Sequence, residues 1–353
     1  MAQITMNELL EFALEQKASD IHITAGVPPK LRIHGKLVDV AVDRLTPADT
    51  RSLVESMLTP RLANILKEKG EADFSYTAQD IGRYRVNAYM QKGCMAAALR
   101  RIETVIPTPD MLGLPEHVVE LYKRRRGLVL VTGPTGSGKS TTLASILDRA
   151  NSNLSTHILT MEDPIEYVHH HKVATINQRE VGQDTLSYAN ALRAALREDP
   201  DIILVGEMRD FETISTAVTA AETGHLVFST LHTIGAAATI DRIIDVFPPH
   251  QQQQIRVQLA MVMVAVISQQ LMPTADGNGR VAAFEVMLET PAIKALIREG
   301  KSHQIPSTMQ TSRAQGMITM DDSIFELFRQ GAIDKETAIT YSQDQAGMIK
   351  RVG

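Results

Sequence analysis

The segment Gly133-Pro134-Thr135-Gly136-Ser137-Gly138-Lys139-Ser140 constrains this chain more than any other stretch. It fits the pattern G-x-x-x-x-G-K-[ST] and sits between an apolar run, Leu128 to Val131, and a helical pattern from Thr141 to Ala150. Glycines at these places let backbone N–H groups approach a phosphate with no Cβ in the way. The helix that starts near Lys139 aims its positive end at the same anion. Lys139 is placed to reach the β- and γ-phosphates and the Ser140 hydroxyl to ligate Mg²⁺, with Thr141 a further nucleotide-binding candidate. A strand, loop and helix in this order predict a site for ATP with Mg²⁺.

The surrounding rhythm supports that prediction. Four continuous apolar runs, Leu128–Val131, Ile158–Met161, Ile202–Val205 and Leu226–Ser229, read as parallel strands covered on both faces. Helical patterns at Leu186–Arg197 and Phe211–Ala221 lie between them. Ligands of such sheets bind at the carboxyl ends of the strands. Two of the runs end in acids: Glu162-Asp163-Pro164-Ile165-Glu166 and Gly206-Glu207. Glu207, directly at its strand end, suits the metal side, partly through water, with Asp163 as a further candidate. Glu166, deeper in its loop, suits orientation of the attacking water. His225 and His232 flank a third strand and are candidates for sensing phosphate oxygens. His169-His170-His171 reads as a polar loop, because adjacent side chains point apart and no further ligand is visible.

At 353 residues the chain suits two domains. Three prolines and a glycine within residues 106–115 mark a linker and a hinge candidate, giving domains at 1–105 and 116–353. The first part mixes a helix at Asn7–Gln16 and helices at Pro47–Met57 and Pro60–Lys69 with short strands at Ile21–Ile23, Leu31–Ile33 and Leu37–Val40, Gly35 turning a hairpin. A pair of longer strands follows at Arg83–Met90 and Met95–Ile102, so this is a small α+β domain. From Pro291 onward the pattern is mostly helical.

A net charge of −5 argues against a general nucleic-acid face, and the run Lys123-Arg124-Arg125-Arg126 reads as a solvated helix end. The start Met1-Ala2-Gln3-Ile4 lacks a signal-peptide pattern, and Leu259–Ile267, the most apolar stretch, is too short for a span and reads as a buried helix. Cys94 is the one cysteine, which excludes an intrachain disulfide and points to a reducing, cytoplasmic setting.

Taken together, four ordered segments resemble the secretion ATPases of type II secretion and type IV pili. They are the phosphate loop, Glu162–Glu166, Asp199–Asp210 and Gly224–Thr233, and Ser19-Asp20-Ile21-His22-Ile23 extends the likeness toward the amino end. The resemblance implies an α/β fold, a RecA-like P-loop NTPase domain with a mainly parallel sheet after a small PAS-like α+β domain. It also implies a homohexamer with nucleotide at the inter-domain cleft, and arginines reaching the phosphates: Arg85 and Arg100, with Arg83 and Arg101 as alternatives, and Arg242. The partner it implies is an inner-membrane platform protein, which would hold the chain at the cytoplasmic face without a membrane span of its own.

The lack of paired CxxC motifs favours the retraction branch over the assembly branch. That branch carries a motif reading AIRNLI, and Ala292-Ile293-Lys294-Ala295-Leu296-Ile297 departs from it at two positions. The expectation is therefore a hexameric ATP-hydrolysing motor for pilus retraction and twitching motility. Alternatives are an assembly or accessory retraction ATPase, a nucleotide-gated scaffold, or a RecA-like translocase, which the acidic charge disfavours.

Overall fold

A computed structural model describes residues 4–33, 35–102 and 105–353. It divides into two units, Met1–Val105 and Ile106–Gly353. Residues 1–3, part of the start read for a signal-peptide pattern, lie outside the described residues.

The first unit opens with α1, Met6–Glu15. Thr5 and Glu8 form a reciprocal cap: the Glu8 N–H donates to the Thr5 hydroxyl and the Thr5 N–H donates to the Glu8 carboxylate at 2.7 Å. The strands β1 (Asp20–Ile23), β2 (Lys30–Ile33) and β3 (Lys36–Asp39) follow. Next come α2 (Pro47–Glu55) and α3 (Pro60–Lys69), each with proline in its first turn. The strands β4 (Glu71–Ala78), β5 (Gly82–Gln91) and β6 (Cys94–Ile102) complete the sheet, in the order β3-β2-β1-β6-β5-β4. Tyr84, Val86 and Ala88 of β5 face the core, and Arg85 points the other way, as period-two alternation requires. Register sets Arg85 opposite Arg100, and Arg100 opposite Asp20. The edge strand β4 was not visible in the sequence. Glu71, Asp73 and two alanines favour strand weakly, and pairing with β5 supplies what propensity lacks.

The second unit is built on a seven-stranded sheet in the order β13-β12-β7-β11-β10-β8-β9. After α4 (Glu116–Val119), β7 (Gly127–Thr132) leads into α5 (Lys139–Asn153). Then come β8 (His157–Glu162), β9 (Thr175–Glu180), α6 (Tyr188–Ala195), β10 (Ile202–Val205), α7 (Phe211–Glu222) and β11 (Leu226–Leu231). The chain continues through α8 (Ala236–Asp245), α9 (Pro249–Val262), β12 (Met263–Pro273) and β13 (Arg280–Leu288). Five helices end it: α10 (Pro291–Glu299), α11 (Ile305–Thr311), α12 (Met320–Arg329), α13 (Lys335–Tyr341) and α14 (Gln345–Val352).

Every pairing from β12 through β7, β11, β10 and β8 to β9 is parallel, and only β13 runs against its neighbour. All residues of β7, β10 and β11 are buried, with helices packed on both faces. The α/β class with a mainly parallel sheet is thus the observed one.

One expectation is corrected. Leu259–Ile267 is not a single buried helix: α9 ends at Val262, and Met263–Ile267 enters β12 beside β7. A short, wholly apolar run carries no period that distinguishes helix from buried strand, and here the open edge of β7 decides it.

Candidate functional site

Parallel strands end together, so the loops after β7, β8, β10 and β11 gather at one edge of the second unit's sheet. The phosphate loop follows β7. At Gly133 φ is +142°, and a Cβ would lie 2.2 Å from the Gln269 carbonyl oxygen. At Gly138 φ is +90°, and a Cβ would lie 2.9 Å from the Gln269 side-chain nitrogen. The backbone of the neighbouring strand β12 therefore excludes a side chain at Gly133, and Gly138 holds a left-handed φ that glycine adopts without strain. Gly138 also caps α5 without a capping side chain, which leaves first-turn N–H groups for an anion. The Ser137 hydroxyl is buried beside them without a partner.

Lys139 is 8% exposed, and its Nζ donates to the carbonyls of Gly133 and Pro134, both at 3.0 Å. Burial pulls its pKa down, while the carboxylates of Glu207 and Glu166 oppose that shift. Lysine and both acids therefore share one electrostatic neighbourhood.

Each acid is held by different means. Glu207 stands two residues beyond β10, where the Thr230 hydroxyl donates to the Gly206 carbonyl at 2.6 Å and the Met208 N–H donates to the Thr230 carbonyl. Its carboxylate lies 3.1 Å from His232 Nε2 and 2.5 Å from Arg209 Nε. Gly206 must be small, since a Cβ there would meet the Tyr188 hydroxyl at 2.9 Å. Glu166 is exposed on the loop after β8. That loop is fixed by β9, whose Glu180 carboxylate accepts from the Ile165 N–H at 3.1 Å and whose Gln178 donates to the Tyr167 carbonyl at 2.8 Å. The Tyr167 hydroxyl meets that of Thr141 at 3.0 Å. Asp163 is exposed on the same loop, and Ser140 is half-buried in the first turn of α5.

Glu162, at the end of β8, is half-buried, and burial raises its carboxyl to about 7 although Thr160 and Gln178 donate to it. The nearby Tyr188 hydroxyl is also pushed up, first by burial and then by Asp163, Glu162 and Glu207.

His225 does not belong to this group. It precedes β11, at the amino edge of the sheet, where its carbonyl accepts from the N–H of Gly127 at the start of β7. A parallel strand has only one end at the ligand edge, so His232 and His225 could not both be there. Arg242 is exposed on α8, and Arg85 and Arg100 lie on the first unit's sheet, Arg100 donating to Asp20 at 2.9 Å.

The histidine triplet is a loop clamp: the His170 carbonyl accepts from Asn151, and His171 Nδ1 accepts from the Ile176 N–H. His169 is buried, which lowers its pKa to about 4. Among the described residues no group of three His, Cys, Asp or Glu is arranged to hold a metal ion by itself.

Arg209, Tyr167, Gln178, Glu180 and Gln269 escaped the sequence reading. Arg209 was within a quoted segment, but no pattern sets it on Glu207. The others depend on strands or loop contacts that periodicity does not reveal. Beside Gly138 and Thr141 opens a cavity of about 680 Å³ with Leu112, Leu271 and Phe284 among its apolar walls.

Known proteins resemble this chain in sequence and architecture. The family model described as Type II/IV secretion system protein matches residues 1–338. A twitching motility protein of Neisseria gonorrhoeae is 47% identical over 338 residues, 94% of this chain and 90% of that protein. The Pseudomonas aeruginosa protein named "Type IV pilus retractation ATPase PilT" is 48% identical over 333 residues, covering 94% of this chain and 96% of its own. A crystal structure of the pilus retraction motor PilT with bound ADP aligns at a TM-score of 0.93 and 50% identity, over 99% of this chain and 100% of that one.

Proposed function

This chain belongs to the Type II/IV secretion system protein family, and from that membership we propose that it is the ATP-hydrolysing motor that drives type IV pilus retraction and twitching motility. The observation that carries the reading is Lys139, 8% exposed within the phosphate loop, where its Nζ donates to the carbonyls of Gly133 and Pro134 at 3.0 Å.

In this reading the triphosphate lies against the N–H groups from Gly136 to Thr141, with Gly133, Pro134 and Thr135 shaping the turn. Lys139 leaves the carbonyls of Gly133 and Pro134 for the β- and γ-phosphates. The Ser140 hydroxyl and Glu207 carboxylate, with Asp163 on the loop after β8 as a further candidate, are hard oxygen donors and fit magnesium, in part through water. Bound there, magnesium neutralises charge on the phosphate oxygens. Glu166 accepts a proton from water as the water oxygen forms a bond to the γ-phosphorus. The bond from that phosphorus to the bridging oxygen breaks, giving ADP and inorganic phosphate. His232, held by Glu207, faces the same edge and senses the γ-phosphate.

Arg85, Arg100 and Arg242 are proposed to stabilise charge on the transferring group, brought to it by closure of a ring of six copies. The ring works in the cytoplasm against an inner-membrane platform protein. No helix among the described residues is long and apolar enough to cross a membrane, which suits attachment through a protein partner.

Complementation tests the function. Expressed in a piliated bacterium lacking its retraction ATPase, the chain is expected to restore surface translocation, and Glu166→Gln to abolish it. Abundant protein that hydrolyses ATP while the cells stay non-motile would refute the retraction role. Lys294, in the segment that departs from AIRNLI, is ion-paired with Glu289 at 2.7 Å. This departure keeps an accessory retraction role as the second reading, identified by rescue only when another retraction ATPase is present.

A further inference from the structure

The run Lys123-Arg124-Arg125-Arg126, read from sequence as a solvated helix end, borders a cavity of about 600 Å³ in the second unit. The cavity lies at the amino edge of the sheet, where β7 begins at Gly127. That is the far end of a six-residue strand from the phosphate loop, roughly 20 Å away. Lys294 of α10 brings a fifth cation to its wall. Against these five stand two lining carboxylates, Glu222 and Glu289, and Glu289 is shared between Arg124 at 3.3 Å and Lys294 at 2.7 Å. Lys123 is paired with Glu120. Arg125 and Arg126 are exposed, and no ion pair is formed by either among the described residues. This concentration of positive charge stands out in a chain whose net charge is −5.

We propose that this cavity is a docking site for an acidic segment of a protein partner, one presenting two or three carboxylates beside an apolar side chain. Three features favour a peptide over other anions. Met261, 55% exposed at the end of α9, lines the cavity and offers an apolar contact that a bare polyanion cannot use. Glu222 and Glu289 repel a dense anion such as polyphosphate, yet accept hydrogen bonds from peptide N–H groups. A concave site also takes an extended segment more readily than the flat face of a bilayer. The arginine guanidinium groups give carboxylates two parallel donors each.

The probe is a fluorescein-labelled pentapeptide of four glutamates around one leucine, followed by anisotropy on the full chain. Binding is expected to be saturable and to weaken with salt. It is expected to fall at least tenfold in Arg125→Glu/Arg126→Glu, with ATP hydrolysis and melting temperature unchanged. Lys294→Gln should weaken it by a smaller factor at an independent position. Inorganic tripolyphosphate and phosphatidylserine vesicles are the competitors, and both should displace the peptide poorly. The proposal is overturned if the wild-type chain ignores the peptide, if the variants bind it equally well, or if either competitor displaces it at equal charge.

Discussion

The hydroxyl of Tyr167 lies 3.0 Å from that of Thr141, so the loop that carries Glu166 is tied to the first turn of the phosphate-loop helix. The same loop is held to β9 by Glu180 and Gln178, and Glu166 itself is exposed on it. The bond couples the residue proposed to hold water to the residues proposed to hold phosphate.

Tyr167→Phe should therefore slow turnover more than it weakens ATP binding. A hydrogen bond of this kind is worth about 1 kcal/mol net, so kcat is expected to fall roughly five-fold with KM little changed. Equal kcat for the variant and the parent would remove Tyr167 from the positioning of Glu166.

Glu166→Gln and Glu207→Gln keep shape and lose charge. Each should retain nucleotide binding while hydrolysis drops by about 10²- to 10⁴-fold, as expected when a general base or metal-side acid is neutralised. Equilibrium binding of a labelled ATP analogue beside phosphate release separates the two effects. Wild-type hydrolysis in both variants would show that the carboxylates are misassigned.

The loops that legibly carry chemistry follow apolar strands, and that is why they were readable. Gly133–Ser140, Glu166 and Glu207 each trail a run of buried residues that announces a parallel strand. His225 was misjudged because a strand read alone has no polarity relative to the ligand edge. The polar edge strand β9 and the apolar β12 were missed for opposite reasons: β9 lacks an apolar pattern, and β12 is apolar throughout its first half. With them went Gln178, Glu180 and Gln269, whose roles come from register and not from spacing. The run at Lys123–Arg126 shows a further limit, since its companion Lys294 is far off in sequence.

Glu285 on β13 links two helices, its oxygens accepting from the Ala236 N–H of α8 at 2.7 Å and the Met320 N–H of α12 at 3.1 Å. Burial raises its pKa despite these bonds. Glu285→Ala leaves two buried donors unsatisfied and should destabilise the second unit by about 2–5 kcal/mol; Glu285→Gln should cost less. Urea unfolding measures both. A loss below about 0.5 kcal/mol in the alanine variant would mean that the helix starts find other acceptors.

Glu162 predicts a pH dependence. Its carboxyl titrates near 7 when folded, against 4.5 for the ordinary group, because burial disfavours the charged form. Between those values the folded protein holds a proton that the unfolded chain has released. Stability is therefore greatest below the lower value and falls as pH rises through the upper one, by about 3 kcal/mol at most from this group. In Glu162→Gln that component should vanish, so the difference between variant and parent should shift in the variant's favour from pH 5 to pH 8. Parallel stability curves for the two proteins would show that Glu162 titrates normally.

Titration of the purified chain with Mg-ATP in a calorimeter, beside Lys139→Ala, tests the central claim most directly. The account predicts saturable binding by the parent and at least a hundredfold weaker binding by the variant, with both proteins equally folded. No heat of binding from the folded parent, or equal affinity in the variant, would contradict it.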